Sequence, residues 1–302
     1  MKKYSLVNMK KYSLKLLKFV FLVSIFFSCT KKEILPQKTI LGLSGDSWPT
    51  GPIDDYVFQN FTRPYNIQVK YKWDPYEVNF TKTLTPVKES QVLTVMDVVN
   101  KVWIEPYEKI TEKIGFIRQY APKQFVLVGS AEYNGNGTIK LGEVEGGRKI
   151  LLLKLNDFDK KNISGITQMA HTIHHEFAHV LHQNLTYPET FKTLNPEWYS
   201  ATWFNVSNEE ANKQGLITNY AKANVDDDFV ETVAYLLIEG QEEFDLTIAY
   251  LEADTTTTRA QSLKAASILK QKEELVVWYY KMAFNIDFRA LQKEVKAAIE
   301  NL

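Results

Sequence analysis

The window 169–183, MAHTIHHEFAHVLHQ, holds His171, His174, His175, His179 and His182, which are all five histidines of the 302-residue chain. It reads as part of a helix over about 165–184. Within it His175-Glu176-Phe177-Ala178-His179 has the pattern HExxH. Residues four apart on an α-helix lie one above the other on one face. His175 and His179 can therefore reach one ion, at Zn–N distances of about 2.0–2.1 Å. Glu176 would lie beside that ion rather than on it, where it can take a proton from a water. A helix rises about 1.5 Å per residue, so His171 and His182 are too far apart to share that ion. His182 reads as a supporting residue or cleft wall, the alternative being that it takes the place of His175. His174 lies a quarter turn away and reads as a packed or hydrogen-bonded histidine.

A catalytic zinc site takes three protein ligands and keeps one position open. The one cysteine, Cys29, sits near the N-terminus, and no histidine lies outside the window, so the third ligand is expected to be a carboxylate. Position 185 is Leu185, which excludes the long metzincin motif with its third histidine there. Glu189, Glu197, Glu209, Glu210, Asp226, Asp227, Asp228 and Glu231 remain. The stretch 219–234, NYAKANVDDDFVETVA, opens a helix with Asp227 and Glu231 one turn apart. One such carboxylate can approach the metal while the next hydrogen-bonds a ligand histidine. Tyr220, seven residues before Asp227, carries a phenol that can stabilise an oxyanion. Acids also suit the first turn of a helix, and Asp226 is the expected cap.

Residues 1–28 carry six lysines and no acid, and an apolar run, FVFLVSIFF, follows from Phe19 to Phe27. That run is too short to span a bilayer and reads as a secretory signal. Ser28-Cys29 then resembles a relaxed lipobox, which implies cleavage before Cys29 and its acylation. Residues 29–40 read as a polar tether. MKKYSL occurs at 1–6 and again at 9–14, so translation from Met9 would give a leader of ordinary length. The chain's formal charge is +0, so the part beyond the six leader lysines carries −6 and no basic stripe. Nucleic acid is thereby excluded as an expected partner. The composition is 45% hydrophobic with six tryptophans, enough to bury a core, and no composition shift after residue 40 calls for a boundary. Residues 41–302 are expected to form a single domain.

Strands are expected at Asn66–Trp73, Gln124–Gly129, Thr138–Val144 and Lys149–Leu155, with a turn at Asn134–Gly137 and another at Gly146-Gly147. A helix from Glu89 to about Gly115 should be kinked or divided by Pro106. Another helix is expected from Asp227 to about Glu239, and two or three more in 258–300. Gly137, Gly142, Gly146 and Gly147 either let a backbone approach closely or simply make turns. Trp198, Tyr199 and Trp203 read as cleft lining or core.

The order of elements resembles the zincin metalloprotease plan. That resemblance implies an α+β fold in which a mixed, mostly antiparallel sheet packs on the histidine helix and a mainly helical part follows. Thr138–Val144 would be the edge strand lining the cleft, where an extended peptide could add as a further strand. The stretch 219–234 is similar to the pattern of lethal-factor-type zinc proteases, with Tyr220 matching the tyrosine, Asp227 the acidic ligand and Glu231 the supporting acid. The usual glutamate is Asp227 here, one methylene shorter. Asn208-Glu209-Glu210 faintly resembles the thermolysin-type ligand segment. More widely, YNIQVKYKWD, GSAEYNGNGTIKLGEVEGGRKI, TIHHEFAHVLHQ and NYAKANVDDDFVE resemble the substrate-import-associated zinc metallohydrolase lipoproteins. The resemblance implies one catalytic Zn²⁺ on His175, His179 and Asp227, with Glu176 and Tyr220 catalytic and Glu231 and His182 in support. It also implies a lipid anchor on the outer membrane, neighbouring import receptors as partners, and a peptide or glycopeptide substrate. The competing expectation is a zinc-containing binding lipoprotein without turnover.

Overall fold

The computed structural model describes residues 49–111, 115–135, 137–145 and 148–302. The leader, Cys29, the tether, and Gly146 and Gly147 lie outside the described residues. Residues 50–302 make one compact unit. No helix among the described residues is long and apolar enough to cross a membrane.

Four strands form the main sheet: β1 (Gln68–Lys70), β2 (Gln124–Leu127), β5 (Gly142–Glu145) and β6 (Lys149–Leu152), in the order β1-β2-β6-β5. β1 runs parallel to β2 and β2 parallel to β6, and β5 alone is antiparallel, to β6. The expectation of a mostly antiparallel sheet is therefore corrected to a mixed one in which parallel pairs predominate. The reason lies in the connections, since parallel neighbours need a long crossover. Helix α1 (Pro52–Val57) precedes β1, and helices α2 (Glu89–Val99), α3 (Glu105–Thr111) and α4 (Gly115–Tyr120) fill the crossover from β1 to β2. After β2 the turn at 134–137 joins β3 (Glu132–Tyr133) to β4 (Ile139–Lys140), a separate two-stranded sheet, rather than turning β2 back on itself. The expected strand Thr138–Val144 is thus broken at Leu141, with β4 in one sheet and β5 at the edge of the other.

The histidine helix α5 (Ile163–Asn184) is capped by Asn162, whose side chain accepts from Gly165 N. At its far end the Tyr279 hydroxyl donates to Leu185 O at 2.6 Å. Its inner face, Ile166, Ala170, Ile173, Phe177 and Leu181, is buried. Phe177, inside the HExxH stretch, meets Trp103 and Tyr107 edge-on at 5.1 and 5.2 Å between ring centres. That packing turns the other face of α5 toward β5. A Cβ on Gly142 would sit 2.3 Å from the Thr172 methyl, so a glycine is what lets this strand cross the helix closely. Gly137, by contrast, has φ +84 with open space around it and serves the turn. Helices α6 (Val225–Ile238), α7 (Gly240–Ala253), α8 (Arg259–Phe284) and α9 (Phe288–Glu300) build the C-terminal part. α7 has no counterpart in the sequence expectation.

The kink expected at Pro106 appears as a π-helical segment just before it, Asn100–Ile104. In a regular helix the Val102 carbonyl would take the N–H of residue 106, and proline has none. His174 Nε2 instead donates to Val102 O at 3.0 Å, with the imidazole fully buried against Tyr107. Burial pushes His174 down to about 4, outweighing the carbonyl contact. A histidine with a depressed folded pKa binds its proton more readily in the unfolded chain. Stability conferred here is therefore complete above pH 6.5 and is lost as pH falls toward 4, by roughly 3 kcal/mol in all. Denaturant midpoints from pH 8 to 4 should show this slope. His174→Phe should flatten it while costing about 1–3 kcal/mol at pH 8, because the Val102 carbonyl is left unpaired.

Candidate metal centre

α6 packs along α5 and brings a carboxylate to the histidine pair. Asp227 Oδ1 lies 3.3 Å from His179 Nε2 and 3.7 Å from His175 Nε2. Donors at about 2.0–2.1 Å from a tetrahedral ion stand about 3.3 Å apart, close to these two separations. All three ligand atoms lie within 4.8 Å of one another. The shorter reach of aspartate is met by the close approach of α6.

Each imidazole is held by its other nitrogen. His175 Nδ1 donates to Glu231 Oε1 at 2.8 Å, and His179 Nδ1 contacts His182 Nε2 at 3.0 Å. With the Nε2 lone pairs turned to the metal position, both Nδ1 atoms carry protons, and His182 accepts. Burial first, and then the neighbouring His179, push His182 down to about 4, which keeps it neutral for that role. Glu231 also accepts from His171 Nε2 at 2.9 Å and, on Oε2, from Thr218 at 2.7 Å. The His171 link was not foreseen; its signal in the sequence is the i, i+4 spacing to His175. His171, His175 and Glu231 form a second cluster, but separations of 2.8–2.9 Å to one oxygen are hydrogen bonds rather than the spacing of metal ligands.

The electrostatics favour a cation. Burial opposes ionisation of Asp227, but contacts from His175 and His179 outweigh it and hold its carboxyl at about 2. Burial likewise opposes charge on His175, yet Asp227 and Glu231 raise it to about 10. In the absence of a metal this concentration of carboxylates would draw in a proton.

The three consecutive aspartates have three different partners. Asp226 accepts from the Tyr187 hydroxyl at 2.6 Å, and Asp228 from the Tyr199 hydroxyl at 2.8 Å and from buried Lys272. The cap of α6 is Asn224, not Asp226 as expected: its Oδ1 accepts from the N–H groups of Asp226 and Asp227. Polar Asp226 is drawn off by Tyr187 instead. The Asn224 amide also donates to Asp227 Oδ2 at 2.6 Å, aiming the other oxygen at the histidines. Asn224→Ala should lower stability by about 1 kcal/mol through the lost cap. It should also weaken zinc binding by about 10–100-fold, measurable by competition with a chromophoric chelator.

Glu176 is nearly buried at 8% exposure, and burial pushes its carboxyl up. It lines a cleft of about 500 Å³ with His175 and His179. Segment 138–143, Trp203 and Tyr220 also line it. Tyr220 sits in a 3₁₀ turn before α6, its ring 5.6 Å from that of His175 and 4.8 Å from that of Trp203. Burial, then Asp227, push its phenol well above the usual range, so it stays protonated. Trp198 and Tyr199 do not line the cleft; Trp198 carries Lys222 over its ring. Glu209 and Glu210 lie exposed on the short helix Asn208–Asn212, where Glu210 closes a capping box with Ser207, and neither joins a histidine cluster.

A solved crystal structure described as "a putative zinc-binding metallo-peptidase from Bacteroides caccae ATCC 43185" is similar to this chain, with 29% identity and a TM-score of 0.68. The match covers 83% of this chain and 93% of that one. No curated protein matches the sequence. Residues 46–289 match the family model described as "Putative zinc-binding metallo-peptidase", and the chain belongs to that family.

Proposed function

We propose that this protein is a zinc-dependent peptidase of the zincin type, with one ion held by His175 Nε2, His179 Nε2 and Asp227 Oδ1. The observation that carries the reading is the convergence of those three atoms within 4.8 Å of one another beside a buried Glu176 that belongs to neither cluster. A zinc ion bound there supplies a Lewis acid that polarises the scissile carbonyl and acidifies water. Glu176 takes the proton of the attacking water on its carboxylate and delivers it to the leaving amine nitrogen. The Tyr220 hydroxyl donates to the carbonyl oxygen as that atom gains negative charge. Glu231 and His182 keep His175 and His179 in the tautomers that leave Nε2 unprotonated. An extended peptide adds to the free edge of β5, next to Glu176.

The test is hydrolysis of a peptide library by the purified protein before and after chelation. Activity should disappear with the metal and return with added zinc; activity that survives complete metal removal contradicts the reading. The remainder of the proposal rests on the sequence resemblance. Cys29 is acylated, the protein is anchored on the outer membrane, and it acts on peptides or glycopeptides beside an import receptor. Cys29→Ser should abolish labelling by a palmitate analogue and release the protein from the membrane pellet. Unchanged labelling contradicts the anchor.

A further inference from the structure

A second cavity opens beside the catalytic cleft, of about 160 Å³. Leu141 and Thr172 line both spaces, so the cavity adjoins the cleft. It lies between the end of β6 and the first turns of α5, and its walls include Leu152, Leu153, Leu155, Phe158 and Met169. The charged groups on its lining, Lys154 and Asp157, are exposed and opposite in sign. An apolar cavity of roughly 150 Å³ takes up a benzene molecule, so this one has the size for a leucine, methionine or phenylalanine side chain.

Its position along the helix fixes its distance from the metal. Gln168, exposed on the cavity lining, is seven residues before His175. At 1.5 Å per residue that is about 10 Å along the helix axis. An extended chain advances about 3.3 Å per residue, so a peptide on the β5 edge reaches the cavity two or three residues from the bond above Glu176. The Thr172 hydroxyl donates back to Gln168 O at 3.0 Å, while its methyl lies against Gly142. The boundary between cleft and cavity is thereby set by a methyl group and by Leu141, which suits an apolar side chain.

We propose that this cavity is a specificity subsite for a large apolar side chain two or three residues from the cleaved bond. The inference rests on the peptidase reading and names a substrate class for it: peptides with Leu, Met or Phe at that position.

The test gives the zinc-loaded full chain a library of N-acetylated, C-amidated decapeptides, with cut sites read by mass spectrometry. Leu, Met and Phe should be enriched about tenfold or more over Asp, Glu and Lys at one position two or three residues from the cut. Gln168→Glu, which places an anion at the mouth, should reduce that enrichment and admit Lys and Arg there. A flat profile at those positions, with cutting present, overturns the subsite and leaves the peptidase reading standing. If nothing is cut, the same library is offered to the zinc-loaded Glu176→Gln chain on a resin. Selective retention of the apolar peptides, lost in Glu176→Gln/Gln168→Glu, upholds the subsite against the hydrolytic reading. No retention overturns the subsite along with the hydrolytic reading.

Discussion

Glu176→Gln is expected to lower kcat by about 10²–10⁴-fold, the scale of a positioned proton-transfer group. Zinc content should stay unchanged. The reasoning starts from the helix: Glu176 adjoins His175 yet belongs to neither of the histidine–carboxylate clusters. It lines the cleft, and its burial raises its proton affinity and so makes it a stronger base. Glutamine keeps the shape and removes the base. The measurement is kcat on any peptide the parent cuts, with zinc determined on the same sample. The variant also separates the peptidase from a binding lipoprotein of an import complex. If cells carrying Glu176→Gln take up substrate as well as the parent, the binding reading gains and the catalytic one fails.

The second large effect concerns stability rather than turnover. Lys272 and Asp228 are both fully buried, and the ammonium bridges the Asp228 carboxylate and the Gly215 carbonyl, the latter at 2.8 Å. Burial pushes Asp228 up and Lys272 down, and each partly offsets the other. Removing one member of such a pair leaves a charge in a dry interior, and Lys272→Met should lower unfolding stability by about 3–5 kcal/mol. Lys272→Met/Asp228→Leu removes both charges and should recover most of that loss. Chemical unfolding of the two variants decides it. A single variant within about 1 kcal/mol of the parent would show that this pair does not brace the first turn of α6. Because Asp228 follows Asp227, the single variant should also weaken zinc binding more than the double one.

The parts of the site that the sequence revealed are those set by helical spacing. His175 and His179 are four apart, as are Asp227 and Glu231, and in each case one helix puts the two side chains on one face. The shortage of other donors in a chain with five histidines and one cysteine pointed to a carboxylate, and the resemblance of 219–234 to lethal-factor-type proteases chose among eight acids. What stayed hidden depends on which strand or loop happens to lie opposite. The carbonyl that holds His174 is 72 residues away and is free only because Pro106 lacks an N–H. The direction of the β1–β2–β6 pairing depends on a helical crossover, whereas the zincin resemblance implied a mostly antiparallel sheet. Asn224 was legible in principle, as an asparagine just before an acidic helix start, but its second contact with Asp227 is tertiary. The apolar subsite is formed by a strand end and a helix start that become neighbours only in the fold.

The most direct test of the central claim is elemental analysis of zinc in the purified protein, with Asp227→Ala prepared alongside. The account predicts about one zinc per chain in the parent and a large loss in the variant, since a three-ligand site reduced to two histidines holds its ion poorly. Equal zinc in both would contradict the assignment of Asp227, and no zinc in the parent after metal-replete purification would contradict the metal centre itself.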